Sequence, residues 1–345
     1  MNDKFGWMIT NSTRNIGDDF QCIAAKQFLN DKKDLIYIDR EKMHDYNGME
    51  LKMILNGWYM HNPDSWPPSE KIIPLLTSMH ISNTRQKSSK LVPSKCMLSK
   101  DGIKYLKKFS PVGCRDLFTL KELRKKGIKS YFSGCMTLTL KRESKERKEY
   151  ICLVDPNEEL INFVKNKTKR EIIVVYPEKD DWPLNYDERI SKAYEILKIY
   201  SEAHMVITSR LHGALPPLAM EVPVLLLEGR YGDERYEGIK YFLNRTTYND
   251  LYLNRYPIDF EQPIQNPEEY KILRKNLEIV TKAFVEDKMH EIDITRISTE
   301  NVKAYKDARK RTIKFCKKYR LESVLYREIK SNIRYFIRNI ENLMK

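Results

Sequence analysis

Two neighbouring stretches decide the fold: His204-Met205-Val206-Ile207-Thr208-Ser209-Arg210-Leu211-His212-Gly213-Ala214-Leu215 and, just beyond, Val222-Pro223-Val224-Leu225-Leu226-Leu227. Residues 204–208 form a short apolar run rich in β-branched residues and read as a buried strand. Ser209 is a natural helix N-cap, residues 211–220 read as a helix, and residues 222–227 read as a second buried strand. Two strands without polar alternation, joined by a crossover helix, form a parallel β–α–β unit with both sheet faces covered.

Working outward, the same alternation repeats along the chain. Residues 5–10, 35–39, 53–57, 75–81 and 111–114 read as strands. Helical patterns cover 19–29, 102–109 and 116–126, the last closed by Gly127. Lys141-Arg142-Glu143-Ser144-Lys145-Glu146-Arg147-Lys148-Glu149 is wholly polar, and the pattern then restarts with a strand at 150–154, a helix at 158–165, a strand at 172–176 and a helix at 187–203. The expectation is an α/β chain of two doubly wound, Rossmann-like domains facing across a cleft, residues 1–145 and 146–298, with a basic helical extension over 299–345. No internal sequence repeat is visible.

The 345 residues carry 62 Lys plus Arg against 48 Asp plus Glu, a net charge of +14, with 41% hydrophobic residues and only 12 Gly. That composition excludes wholesale disorder and a collagen-like chain. No run is long enough to span a membrane, and the amino terminus Met1-Asn2-Asp3-Lys4 does not read as a signal peptide, so a soluble, cytoplasmic chain is expected. Residues 299–345 hold 14 Lys/Arg and 5 Asp/Glu, a net of +9, leaving +5 for the rest. The basicity belongs to the tail, and a nucleic-acid partner is not indicated. The six cysteines form no CxxC pair, and neither DxD nor HExxH occurs, so no metal and no cofactor is called for.

Candidate site residues lie where a strand gives way to a helix. Arg210 and His212 fall in the first turn after Ser209, where free backbone N–H groups and the helix dipole favour an anion, while Gly213 leaves room for a ligand's approach. The other reading of the pair is a surface Arg with a core-capping His. Arg115, at the tip of Val112-Gly113-Cys114-Arg115-Asp116, is either a second anion ligand or a surface residue paired to Asp116. Asn15-Ile16-Gly17-Asp18 follows the first strand, and its glycine and acids suit a tight turn into a helix. Asn56 and Trp58 offer a hydroxyl partner and a sugar-stacking ring, or plain packing. His80 is read as a satisfied core histidine.

These junctions, in this order, resemble the polysaccharide pyruvyl transferase family. The resemblance rests on Asn15-Ile16-Gly17-Asp18, Asn56-Gly57-Trp58, Val112–Asp116, residues 132–140, and above all Ser209-Arg210-Leu211-His212-Gly213-Ala214 before Val222-Pro223-Val224, and it covers roughly residues 5–245. Many members have an Asp-Pro step where Ser133-Gly134-Cys135-Met136 stands here. The resemblance implies a two-domain fold like that of GT-B glycosyltransferases. It also implies transfer of the enolpyruvyl group of phosphoenolpyruvate onto two hydroxyls of a sugar, giving a cyclic ketal and phosphate. On that reading Arg210 and the helix terminus hold the phosphate and Arg115 the carboxylate. His212, titrating near neutrality, delivers the proton. Asp18, Asp116 and Glu228 are candidate bases, and Ser209, Asn15 and Gly17 line the donor side. A nucleotide-sugar glycosyltransferase on the same architecture and a non-enzymatic glycan- or nucleic-acid-binding protein are the competing readings.

In the tail, Leu325, Ile329, Ile333, Phe336, Ile340 and Leu343 recur at helical spacing, with Arg327, Lys330, Arg334 and Arg338 opposite. The expected roles are packing on the body and, for the basic face, contact with an anionic membrane surface near a lipid-linked oligosaccharide acceptor. That would make the enzyme peripheral at the inner face of the cell membrane.

Overall fold

The computed structural model describes residues 4–11, 13–29, 31–142, 146–178, 185–229, 234–321 and Val324. The first unit comprises β1 (Phe5–Ile9), α1 (Gly17–Lys26), β2 (Ile36–Asp39), β3 (Leu51–Tyr59), β4 (Ile72–Ile81), α2 (Pro93–Met97), α3 (Lys100–Lys108), β5 (Val112–Cys114), α4 (Leu117–Lys125) and β6 (Ser130–Phe132). The second comprises β7 (Ile151–Val154), α5 (Glu158–Lys165), β8 (Ile172–Val175), α6 (Tyr186–Glu202), β9 (Met205–Thr208), α7 (Leu211–Ala219), β10 (Val224–Glu228), β11 (Asn244–Thr247) and α8 (Tyr248–Tyr252). Two long helices, α9 (Tyr270–Val285) and α10 (Ile294–Lys318), follow.

Both sheets are parallel throughout, in the orders β2-β1-β3-β4-β5-β6 and β8-β7-β9-β10-β11. Counted within each unit this is one winding used twice, 2-1-3-4-5, extended by one strand in the first. Sequence comparison shows no repeat, but the topology does. Each sheet therefore has a switch point, between β1 and β3 and between β7 and β9, where helices leave on opposite faces and open a crevice at the carboxyl edge.

The apolar runs explain the layering. In the second sheet Cys152, Val154, Val206, Val224 and Leu226 face a core continuous with the first unit. The alternate residues Ile151, Leu153, Met205, Ile207, Leu225 and Leu227 face a separate core that includes Phe260, Cys316 and Leu321. One hydrophobic layer thus runs through both units, which meet at their carboxyl edges: Ile16 N donates to Pro177 O at 2.9 Å and Leu117 N to Glu237 O at 3.0 Å. Fully buried Arg189 of α6 reaches across to Thr13 O and to Asp19 Oδ2. Burial pushes the Asp19 carboxyl up to about 6, with Arg189 pulling the other way.

Helix α10 corrects the expected domain limits. It starts at Ile294, before residue 299, and buries Ile297, Asn301, Ala304, Ala308, Thr312 and Cys316 along one face. Asn301 Nδ2 donates to Phe132 O at 2.8 Å in the first unit, while Arg311 donates to Glu269 Oε1 at 2.9 Å and Tyr241 O at 2.7 Å in the second. Small residues on this face let the helix lie close to both units, so residues 299–318 belong to the body and are no appendage. The stripe from Leu325 to Leu343, with Arg327, Lys330, Arg334 and Arg338, lies outside the described residues. No helix among the described residues is long and apolar enough to cross a membrane.

Candidate active site

The strand β5 ends at Cys114 and delivers Arg115 and Asp116 to the carboxyl edge. Asp116 caps α4 by accepting from Thr119 N at 2.8 Å, and its Oδ2 lies 2.7 Å from His80 Nδ1 and 3.7 Å from Arg115 Nε. Asp116 is thus engaged both as a helix cap and as the partner of His80. Arg115 is 1% exposed, and Nη1 donates to Gln21 Oε1 at 3.4 Å. Its Nε and Nη2 meet no hydrogen-bond acceptor among the described residues. A guanidinium cannot shed its charge, so buried donors without partners are costly and suit a ligand anion.

His80 is fully buried, and its Nε2 likewise has no hydrogen-bond partner among the described residues. It is therefore only half satisfied, unlike the core histidine read from its strand position. Burial, reinforced by Arg115 and opposed by Asp116, holds its pKa below the ordinary value. The neutral ring donates from Nδ1 to Asp116 and keeps a lone pair on Nε2.

His212 stands in the first turn of α7. Its Nε2 lies 3.7 Å from Cys135 Sγ of the other unit, and that sulfur accepts from Thr137 Oγ1 at 3.2 Å. Gly17 allows the approach of α1, since a Cβ there would fall 2.9 Å from Asn15 Oδ1 and 3.1 Å from His212 Cβ. Asn15 closes the turn, its Oδ1 accepting from Gly17 N at 3.0 Å. Burial, then the charges of Arg115 and Arg235 and the proximity of His80, drive His212 well below its ordinary pKa. The group expected to titrate near neutrality is thus held well below that range here, by its burial first and by the neighbouring arginine charges second.

Arg210 is placed differently. Its Nε donates to Asp155 Oδ2 at 2.6 Å and its Nη1 to Glu178 Oε2 at 2.7 Å. Two carboxylates against one guanidinium leave this cluster net negative, and Arg210 braces the β7/β9 switch point. It also occupies the N-cap position of α7 without a side-chain cap; Ser209 is not the cap, and its carbonyl accepts from Tyr236 Oη at 2.8 Å. Gly213 serves packing, as a Cβ there would lie 2.6 Å from Thr208 Oγ1 and 3.0 Å from Val154 Cγ1.

The other expected contacts are engaged within the protein. Asn56 is fully buried and donates to Gln21 O at 3.0 Å, bracing α1 on β3. Trp58 is flanked by the Arg40 guanidinium at 5.3 Å and the His61 ring at 4.7 Å. Asp18 lies 3.5 Å from Arg40 Nη1 and accepts from Gln21 Nε2 at 3.3 Å. Glu228 pairs with Arg245, which leaves it poorly placed as a base. Sequence reasoning missed Gln21 and Arg235, which carry no motif of their own, and gave Cys135 no role although it lies in the 132–140 stretch. Two surface depressions, lined by Lys52, Phe284 and Asp287 and by Lys148, Arg170 and Glu261, lie at the amino edges of the sheets, away from the edge where doubly wound sheets bind ligands.

The solved structure titled "S. aureus MnaA-UDP co-structure" is similar to this chain at 11% identity and a TM-score of 0.42, over 82% of this chain and 97% of that one. No curated protein matches the chain. The model of the family "Polysaccharide pyruvyl transferase" matches residues 15–229, a span that contains Arg115, Cys135, Arg210 and His212 and more than half of the molecule. The chain belongs to the polysaccharide pyruvyl transferase family and is, accordingly, a polysaccharide-modifying transferase.

Proposed function

We propose that the chain moves the enolpyruvyl group of phosphoenolpyruvate onto two hydroxyls of one sugar, forming a cyclic pyruvate ketal and releasing phosphate. The observation that carries this reading is the buried Arg115 guanidinium, whose Nη2 makes no hydrogen bond and whose Nε has only the Asp116 carboxylate 3.7 Å away, beside His80 and His212 at the junction of the units. A small substrate with a phosphate and a carboxylate matches such a cluster. The negative Asp155–Arg210–Glu178 cluster at the second switch point opposes a nucleotide diphosphate, and this favours phosphoenolpyruvate over a nucleotide-sugar donor.

The reaction follows from the electrostatics. Burial first, and the charge of Arg115 second, hold His212 neutral; an anion on Arg115 removes the second cause and gives an imidazolium a counter-charge, so His212 takes up a proton as the donor binds. Protonated His212 then gives that proton to the methylene carbon, C2 becomes electrophilic, and a sugar hydroxyl adds there, its proton passing to the His212 nitrogen just vacated. Departure of phosphate, carrying that proton, regenerates an electrophilic C2, and the second hydroxyl closes the ketal as its proton returns to His212. The donors of Arg115 stabilise the leaving phosphate or the carboxylate. Access to the buried Arg115 requires the units to part and close again. The reading is tested by incubating the protein with phosphoenolpyruvate and a panel of glycosides. Stoichiometric phosphate release and a pyruvylated glycoside by mass spectrometry are expected; glycosyl transfer from a nucleotide sugar with neither product refutes it.

A further inference from the structure

The outer face of α10 carries Lys303, Lys306, Lys310, Lys314, Lys317 and Lys318, all exposed. At about 100° per residue they occupy roughly one third of the helix circumference, opposite the buried line from Ile297 to Cys316. At about 1.5 Å per residue the stripe is about 22 Å long. The acid on this arc is Asp307, and none of the six lysines enters an ion pair among the described residues; Lys318 lies over the Tyr319 ring at 4.9 Å. Like charges three and four apart weaken a helix, so the fold does not account for the stripe.

We propose that this lysine face docks the protein onto an anionic membrane surface, with the ammonium groups on headgroup phosphates. From residue 303 to residue 318 the cations of the exposed arc are lysines, without the forked guanidinium and stacking aromatic groups that favour nucleic acid; Arg296, a turn and more before them, is paired with Glu300. The chain leaves its carboxyl end towards residues 325–343, whose sequence alternates Leu325, Ile329 and Ile333 with Arg327, Lys330 and Arg334, a composition suited to the headgroup–acyl boundary. This surface is independent of every catalytic assignment above.

The test is sedimentation of the full chain with vesicles of phosphatidylglycerol and phosphatidylcholine, against vesicles of phosphatidylcholine alone. The wild type binds only the anionic vesicles, and high salt releases it. Replacing all six lysines by Gln lowers partitioning roughly 100-fold or more, and the triple variant Lys303→Gln, Lys310→Gln, Lys317→Gln lowers it about 10-fold, while six Lys→Arg changes retain it. Thermal melting checks that the variants fold. Binding of the Gln variants equal to wild type, equal binding to neutral vesicles, or no binding by the wild type overturns the proposal. Lysine-dependent binding of single-stranded DNA without vesicle binding overturns it in favour of a nucleic-acid partner.

Discussion

Arg115 and Arg210 each stand at the carboxyl end of an inner strand where a helix begins, after the fifth strand of the first sheet and the third strand of the second. Their surroundings are opposite. Arg115 is buried with two nitrogens unmatched, whereas Arg210 is about one third exposed and spends two nitrogens on Asp155 and Glu178. The lesson is that position in a motif does not assign a charge its role. Whether its donors are already committed does, because a buried cation without acceptors gains most from a ligand anion.

The largest effect that could break this contrast concerns His212. His212→Ala lowers kcat by about 100- to 10,000-fold with little change in phosphoenolpyruvate affinity, as expected for a positioned proton donor. Steady-state kinetics with a measured donor Kd decides it, and near-normal turnover would move the proton transfer to another group. Next, Arg115→Ala weakens donor affinity roughly 10- to 100-fold, the worth of charge-assisted hydrogen bonds to an anion. Arg210→Ala costs only a few-fold by the same titration, and a reversed order would dissolve the contrast drawn here.

The two glycines sharpen the comparison further. Gly213→Ala drives a Cβ into Thr208 Oγ1 and Val154 Cγ1 and costs about 1–3 kcal/mol of stability, seen as a lower Tm. Gly17→Ala meets Asn15 Oδ1 and His212 Cβ instead, so its loss shows in turnover more than in melting. The smallest effect is on pH. His212 sits well below its ordinary pKa in the free protein and rises when an anion neutralises Arg115, so the complex binds more protons than the free protein. Donor affinity is therefore level below the free pKa, falls by up to about tenfold per pH unit above it, and levels off above the bound pKa. Calorimetry in buffers of different ionisation enthalpy measures the proton uptake directly; none detected would mean that His212 stays neutral.

Much of the architecture is legible in local pattern. The helix at residues 158–165 is found as expected, and β9 and β10 lie within a residue or two of their apolar runs, because buried parallel strands must be continuously apolar. By contrast β11, Asn244-Arg245-Thr246-Thr247, contains no apolar run, and an edge strand of polar residues leaves no signal to read. The extent of β4 over Ile72–Ile81 was only partly visible, since Pro74 and Ser78 interrupt a run that pairing with β3 holds extended.

Within the site, sequence alone determined which residues arrive at the strand ends, since strand and helix periodicity places Arg115, Arg210 and His212 at junctions whatever surrounds them. Only the tertiary structure decided what each can do there. Cys135 stands far along the chain from His212 and touches it only because the two carboxyl edges are pressed together. Asp155 and Glu178 silence Arg210 because the β7/β9 crevice brings three separate loops to one point. Charge state depends on neighbours within a few ångströms and on exclusion of water, and neither is a property of a stretch of sequence.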